Sequence, residues 1–212
     1  MFPNLQIILK ELSQRFEEIP LERKIILQKM ATYIQSKINH NLPINLVFIC
    51  THNSRRSHFG QIAAAVSAQY YHIKNVYSYS GGTEETAFHP NAIHALRGLG
   101  FKVSTPNEDS ANPIWVVNFG EALSTTCFSK VFNHPSNPKR DFAAIMTCSD
   151  ADQNCPVIFG ADLRIGTSYQ DPKSADGTPL QNETYQARFL EITTEILYAF
   201  SLVNPKPIPD VL

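Results

Sequence analysis

Ile44-Asn45-Leu46-Val47-Phe48-Ile49-Cys50-Thr51-His52-Asn53-Ser54-Arg55-Arg56-Ser57 decides how this chain folds. Its first half, Ile44 to Ile49, is a β-branched, apolar run that follows the break Asn39-His40-Asn41-Leu42-Pro43 and reads as a buried strand. The strand runs directly into a thiol, five intervening residues, an arginine and a serine, and Ser57 to Tyr71 has helical character. Five residues let the backbone curl so that successive N–H groups converge on one point, where the helix N-terminus adds partial positive charge. A tetrahedral dianion fits such a cup. Arg56 is suited to bind two of its oxygens with a planar fork that lysine lacks. Cys50 sits beneath as nucleophile, and Thr51, His52, Asn53, Ser54, Arg55 and Ser57 complete the binding wall. Ser57 either caps the helix or hydrogen-bonds the thiolate. Without the strand-to-helix setting, the same spacing would mean only a buried cysteine and a solvated helix start.

Outward from this loop, strands and helices alternate. Val76 to Ser80 reads as a strand ending at Gly81-Gly82, and Pro90 to Leu99 as a helix stopped by Gly100. Phe142 to Met146 is a second buried strand, Arg164 to Thr167 a short one, and Glu183 to Phe200 a closing amphipathic helix. The alternation implies an α/β fold, a parallel sheet with helices on both faces, and a ligand crevice beyond the carboxyl ends of the strands. Trp115 to Phe119 and Cys127 to Phe132 are expected to form an inserted hairpin. Before the main domain, helical spacing at Leu5, Ile8, Leu9, Leu12 and Phe16, and again at Ile25, Ile26, Met30, Tyr33, Ile34 and Ile38, predicts a helical hairpin. The expected organisation is an N-terminal helical extension over residues 1–43, a catalytic domain over 44–204, and a proline-rich tail over 205–212.

Two further segments carry chemistry. Cys148 follows a predicted strand and so falls at the same sheet edge as Cys50, and Cys155 comes seven positions later across Ser149-Asp150-Ala151-Asp152-Gln153-Asn154. Asp150, Asp152 and Asn154 open like a calcium loop, but Cys155 stands where glycine is needed and Ala161 where glutamate is. Zinc would need two more ligands that no nearby His or Cys pair supplies. With metals set aside, the pair is either a dithiol relay across a flexible polar connector or two unrelated buried thiols. Cys127, among Thr125, Thr126, Phe128 and Val131, reads as structural. Asp171-Pro172 follows the last strand, and is either a turn or the site of a general acid poised over the bound anion.

Composition narrows the partners. The 212 residues are 43% hydrophobic and 17% charged, which suits a folded globular protein rather than a disordered one. Eighteen Lys and Arg against nineteen Asp and Glu give a formal charge of -1, so no global basic field exists for nucleic acid or an anionic membrane. No run reaches the roughly 18 apolar residues of a membrane span. Lys10, Glu11, Arg15, Glu17 and Glu18 interrupt the place of a secretory h-region, and the cytoplasm is the expected compartment. Four cysteines in that setting point to catalysis, metal binding or inertness rather than a disulfide scaffold.

Taken together, Cys50 to Ser57, Cys148-Ser149-Asp150-Ala151-Asp152-Gln153-Asn154-Cys155-Pro156 and Asp171-Pro172 resemble the thioredoxin-coupled arsenate reductases, which have the low-molecular-weight tyrosine phosphatase fold. The resemblance spans roughly Ile44 to Phe200, and the second cysteine segment is its most specific part, because simple phosphatases of this fold lack that pair. It implies a three-layer α/β fold with a four-stranded parallel sheet flanked by helices. It further implies Cys50 as nucleophile, Arg56 as oxyanion clamp, Asp171 as general acid, Cys148 and Cys155 as redox thiols, thioredoxin as electron donor, and no bound cofactor. His52 stands where the family usually has glycine, and Arg55 and Lys173 are bulkier than usual. The helical N-terminus and the Trp115 to Arg140 region lie outside the pattern and read as a docking surface or extra cover. Electron count favours reduction, since arsenate to arsenite consumes two electrons and ester hydrolysis none. The alternatives are a phosphatase using Cys50, Arg56 and Asp171 alone, and a degenerate oxyanion- or partner-binding module.

Overall fold

The computed structural model describes residues 1–154 and 157–205. Cys155 and most of the tail, residues 206–212, lie outside the described residues. The central sheet is formed by β1 (Ile44–Cys50), β2 (Val76–Gly82), β6 (Phe142–Met146) and β7 (Ala161–Gly166), all parallel and in the order β2-β1-β6-β7. From β1 the chain goes to one neighbour through α3 (Arg56–Tyr70) and only later to the other, so the carboxyl end of β1 is a topological switch point. Crevices open at such points because the flanking crossovers leave in opposite directions. Cys50 is the last residue of β1 and stands at that opening.

Alternation along β1 divides the core. Leu46 and Phe48 point into the larger cluster, shared with α2 (Leu21–Asn39), α3 and α6 (Gln181–Ser201). Val47 and Ile49 point the other way, into a smaller cluster with Cys50, Met146, Cys148, Ala151 and Ile158. The larger face is thus covered by long helices, and the smaller by the short α5 (Ser149–Asn154) and irregular segments. Gly60 lets α3 lie close on the sheet, for a Cβ there would come within 2.3 Å of the Phe48 ring.

Three expectations are corrected. The N-terminal pair, α1 (Pro3–Ser13) and α2, does not form a self-packed hairpin; each helix lies chiefly against α6 and contributes Leu5, Leu9, Leu12, Leu27, Met30 and Ile34 to the main core. Pro20 at the start of α2 and the single turn at Phe16–Glu18 redirect the chain, and the buried face of α2 uses Leu27 while Ile25 is 52% exposed. The inserted β-structure is a three-stranded antiparallel sheet of β3 (Lys102–Ser104), β4 (Trp115–Gly120) and β5 (Leu123–Cys127), whose last strand ends rather than begins at Cys127. The two-residue connection Glu121-Ala122 after Gly120 closes the β4–β5 hairpin tightly, which pulls the second strand forward. Finally, where a flexible polar connector is expected after Cys148, Ser149–Asn154 form the helix α5. α4 (Pro90–Gly98) completes the elements, and Gly100 beyond it takes φ +100°, a conformation that glycine adopts without strain.

Candidate active site

The loop Cys50 to Arg56 is hung from its outside. The Cys50, Thr51 and Ser54 carbonyls accept from the N–H groups of Thr83 (3.1 Å), Glu84 (2.8 Å) and His89 (3.0 Å), and the His52 carbonyl accepts from the hydroxyls of Thr86 (2.9 Å) and Ser129 (3.0 Å). Among the described residues, no protein acceptor takes a hydrogen bond from the N–H groups of His52 to Arg56. With its carbonyls turned outward, the loop keeps its donors for the concave side, the arrangement an oxyanion requires. Gly82 makes this possible: a Cβ there would meet the Glu84 and Thr51 carbonyl oxygens at 2.4 and 2.6 Å, and next to it a Cβ on Gly81 would meet the Phe132 backbone at 2.4 Å.

Asn53 is the internal strut. It sits at φ +45°, the left-handed region that asparagine tolerates better than most residues. Its Oδ1 accepts from the Lys130 N–H at 2.8 Å, which orients the amide so that Nδ2 donates to Ser57 Oγ at 2.8 Å. Ser57, already an acceptor, has its proton left to give to Cys50 Sγ 3.1 Å away. A chain of donors from Lys130 through Asn53 and Ser57 therefore ends on the sulfur of a 4% exposed cysteine. Beneath it, His58 is fully buried, pairs through Nδ1 with Ser80 Oγ at 3.1 Å and lies 4.2 Å from the Phe88 ring. Burial, with Lys130 nearby, holds its ring well below the ordinary histidine value, so it serves the loop as a neutral support.

Arg56 and Asp171 meet directly. Arg56 Nη2 donates to Asp171 Oδ2 at 2.8 Å, and Nη1 to the Tyr169 carbonyl at 2.9 Å, while Nε is buried without a protein partner. Asp171 also caps the short turn Pro172–Ala175 by accepting from the Lys173 N–H at 3.0 Å, so it is both a turn former and a neighbour of the loop. Arg55 is turned away toward a second polar cluster, with Nε 2.9 Å from Tyr185 Oη, 3.9 Å from Asp171 Oδ1, and Nη2 3.6 Å from Asp176 Oδ2. Burial pushes the Asp176 carboxyl up, but hydrogen bonds from Tyr185 and Asn91 outweigh this and hold it below its usual value.

The sequence-expected residues are brought together as follows. Cys50, Arg56, Ser57, Asp171 and Cys148 converge at the carboxyl edge of β1 and β6, where Cys148 Sγ lies 3.5 Å from Thr51 Oγ1 and accepts from the Ala151 N–H at 3.4 Å. Cys50, Cys127 and Cys148 are free thiols. The side chains of Thr51, Asn53, Ser54 and Arg55 are engaged by the protein, Ser54 by donating to the Ala87 carbonyl at 2.7 Å, and His52 faces Glu84 at 3.6 Å. What these residues offer an anion is therefore backbone N–H, with Arg56 as the side-chain donor. Cys127 is buried at the end of β5, its thiol pushed up to about 12 by burial. No group of three His, Cys, Asp or Glu side chains among the described residues is placed to hold a metal, and no helix there is long and apolar enough to cross a membrane.

Sequence reading missed the supports that come from far along the chain. Ser129 and the Lys130 N–H grip the loop from the segment after β5, and the chain there bridges Gly82 through Val131. The Trp115 to Arg140 region is thus joined to the loop itself as a brace, and no local spacing signals it. Gly81-Gly82 was the one visible sign that something packs closely there.

No family model matches the chain. The arsenate reductase of Bacillus licheniformis is 27% identical over 152 residues, covering 71% of this chain and 88% of that protein. The arsenate reductase of Bacillus subtilis is 26% identical over the same length and shares. A low-molecular-weight phosphotyrosine phosphatase structure from Vibrio cholerae superposes at a TM-score of 0.48 with 15% identity, covering 73% of this chain and 93% of that one. In sequence, the chain is similar to bacterial arsenate reductases.

Proposed function

We propose that this chain reduces arsenate to arsenite at Cys50, with Cys148 and Cys155 as electron-carrying thiols and thioredoxin as the reductant that restores them. The observation that carries this reading is a second buried thiol at the oxyanion loop: Cys148 Sγ is 3.5 Å from the hydroxyl of Thr51, the residue after the nucleophile, and shares one buried cluster with Cys50. An ester hydrolase has no use for that thiol. The sequence likeness to arsenate reductases supports the same reading.

Arsenate enters the cup with its oxygens on the loop N–H groups and on the Arg56 guanidinium, whose Nη2 turns from Asp171 to the anion. The Cys50 thiolate attacks arsenic while Asp171 protonates the departing oxygen, which leaves as water. Cys148 then attacks Cys50 Sγ. The sulfur–arsenic bond breaks with its electron pair on arsenic, arsenite departs, and a Cys50–Cys148 disulfide remains. Attack by Cys155 on Cys148 frees Cys50 and moves the disulfide to Cys148–Cys155, which thioredoxin reduces. Such thiols must be kept reduced between turnovers, a condition met in the cytoplasm.

The test is a steady-state assay of the purified protein with arsenate, thioredoxin, thioredoxin reductase and NADPH, run beside p-nitrophenyl phosphate. Arsenate-dependent NADPH consumption that needs thioredoxin is the expected outcome. Ester hydrolysis without arsenite formation would transfer the site to phosphomonoester chemistry, and neither activity would make it a binding module.

A further inference from the structure

The Arg56 clamp has a second layer of support that begins in the N-terminal helices. Arg23, on the first turn of α2, places Nε 3.0 Å from Glu195 Oε1 of α6 and donates through Nη2 to the Ser168 carbonyl at 2.8 Å. Glu195 uses its other oxygen to accept from Tyr169 Oη at 2.6 Å, and the Arg23 guanidinium lies 5.1 Å from the centre of the Tyr169 ring. Arg23, Glu195, Tyr169 and the Ser168 carbonyl so close a ring of contacts around one peptide unit. The next carbonyl, that of Tyr169, accepts from Arg56 Nη1 at 2.9 Å, and Asp171 two residues on accepts from Nη2 at 2.8 Å.

Burial makes the ring consequential. Tyr169 and Glu195 are 6% exposed each, and a buried carboxylate lacking its cation is costly enough to force a local rearrangement. Arg23 suits the place because one planar group faces Glu195 and the Ser168 carbonyl together, which the single ammonium of lysine does poorly. Thr147 holds the same strip from the sheet side, its carbonyl accepting from the Tyr169 N–H at 3.1 Å.

We propose that Arg23, through Glu195 and Tyr169, is a positioning residue for the oxyanion site: it fixes the Ser168 to Asp171 strip that aims Arg56. This rests on the reading of Cys50 to Ser57 as an oxyanion site. An extension that precedes the catalytic domain in sequence thereby contributes to the geometry of the anion clamp.

The test reads anion binding without turnover. Iodoacetamide alkylation of Cys50 is followed by peptide mass mapping at rising inorganic phosphate, which protects the thiol by filling the cup. Arg23→Gln and Glu195→Gln should each raise the phosphate needed for half protection by about tenfold, the worth of one misaimed charge-assisted hydrogen bond. Arg23→Lys should fall between them and the parent. Leu27→Ala, one helical turn further along α2 and in the core rather than the ring, controls for simple loosening of the helix: it lowers stability but should leave protection at the parent level. Near-parent protection in both Gln variants, or equal loss in Leu27→Ala, overturns the brace. Absence of phosphate protection in the parent itself would instead overturn the oxyanion site on which the brace rests.

Discussion

The loop from Cys50 to Ser57 and the segment opening at Cys148 lie side by side at one sheet edge, yet they are held in opposite ways. Four loop carbonyls are taken by donors from residues 83–129, and Asn53 is fixed at both ends of its amide. Cys148 has two contacts to sulfur, at 3.4 and 3.5 Å, and the six-residue helix after it is tied by the Asp152–Arg164 pair at 2.7 Å. Sulfur hydrogen bonds are weak and cheaply exchanged, whereas the loop's outer bonds act as a set. The difference suits the two tasks of the proposed reaction. A preorganised cup stabilises developing charge because its donors need not reorient, while a thiol that must bond first to one sulfur and then to another has to leave its resting place.

The largest effects should come from the rigid region. Cys50→Ser should abolish turnover of arsenate and of p-nitrophenyl phosphate alike, because a serine hydroxyl in the cup stays protonated and attacks poorly. Arg56→Lys should be nearly as damaging, since a single ammonium cannot span the Tyr169 carbonyl, Asp171 and an anion as the fork does. Parallel steady-state assays check both, and full activity in either would remove the loop from the chemistry.

Asp171→Asn comes next. It should slow the first chemical step by about 10²- to 10⁴-fold while phosphate still protects Cys50 from alkylation. If affinity collapses and the rate per bound anion does not, the contact with Arg56 is the residue's whole contribution.

The smallest effect concerns the brace behind the loop. Burial pushes the Lys130 amine down to about 8, against the smaller upward pull of Cys127. Below that pH the amine is charged in both folded and unfolded chains, and the full desolvation penalty is carried. Between about 8 and the ordinary 10.5 the folded protein sheds the proton first, so stability rises with pH across that window. Lys130→Met should therefore stabilise the protein at pH 7, by on the order of 1 kcal/mol after loss of the Phe128 contacts. That advantage should shrink toward pH 10 in thermal melts, and an advantage constant with pH would mean the amine is not penalised by burial.

How far the sequence disclosed this comparison follows from the range of the interactions. The β1 run, the Cys-to-Arg spacing and the stops at Gly100 and Gly82 are local, and they were legible because each is a backbone demand written in consecutive residues. The sheet edge shared by Cys50 and Cys148 followed from alternation alone. Ser129 and Lys130 on the loop, or Arg23 on the strip before Asp171, join residues 77 to 145 positions apart, and no periodicity encodes such pairs. No periodicity signals the helix after Cys148, because Ser149-Asp150-Ala151-Asp152-Gln153-Asn154 is short and polar apart from Ala151, with turn-forming residues that also favour a helix start.

The central claim, that a movable thiol beside a fixed cup makes this a reductase, is tested most directly by arsenite yield in the relay variants. Cys155→Ser should complete a single reduction, giving about one arsenite per protein molecule and a Cys50–Cys148 disulfide in peptide mass maps, and then stall. Cys148→Ser should give essentially none, while any ester hydrolysis persists in both. Sustained thioredoxin-linked arsenate turnover by Cys148→Ser would contradict the claim.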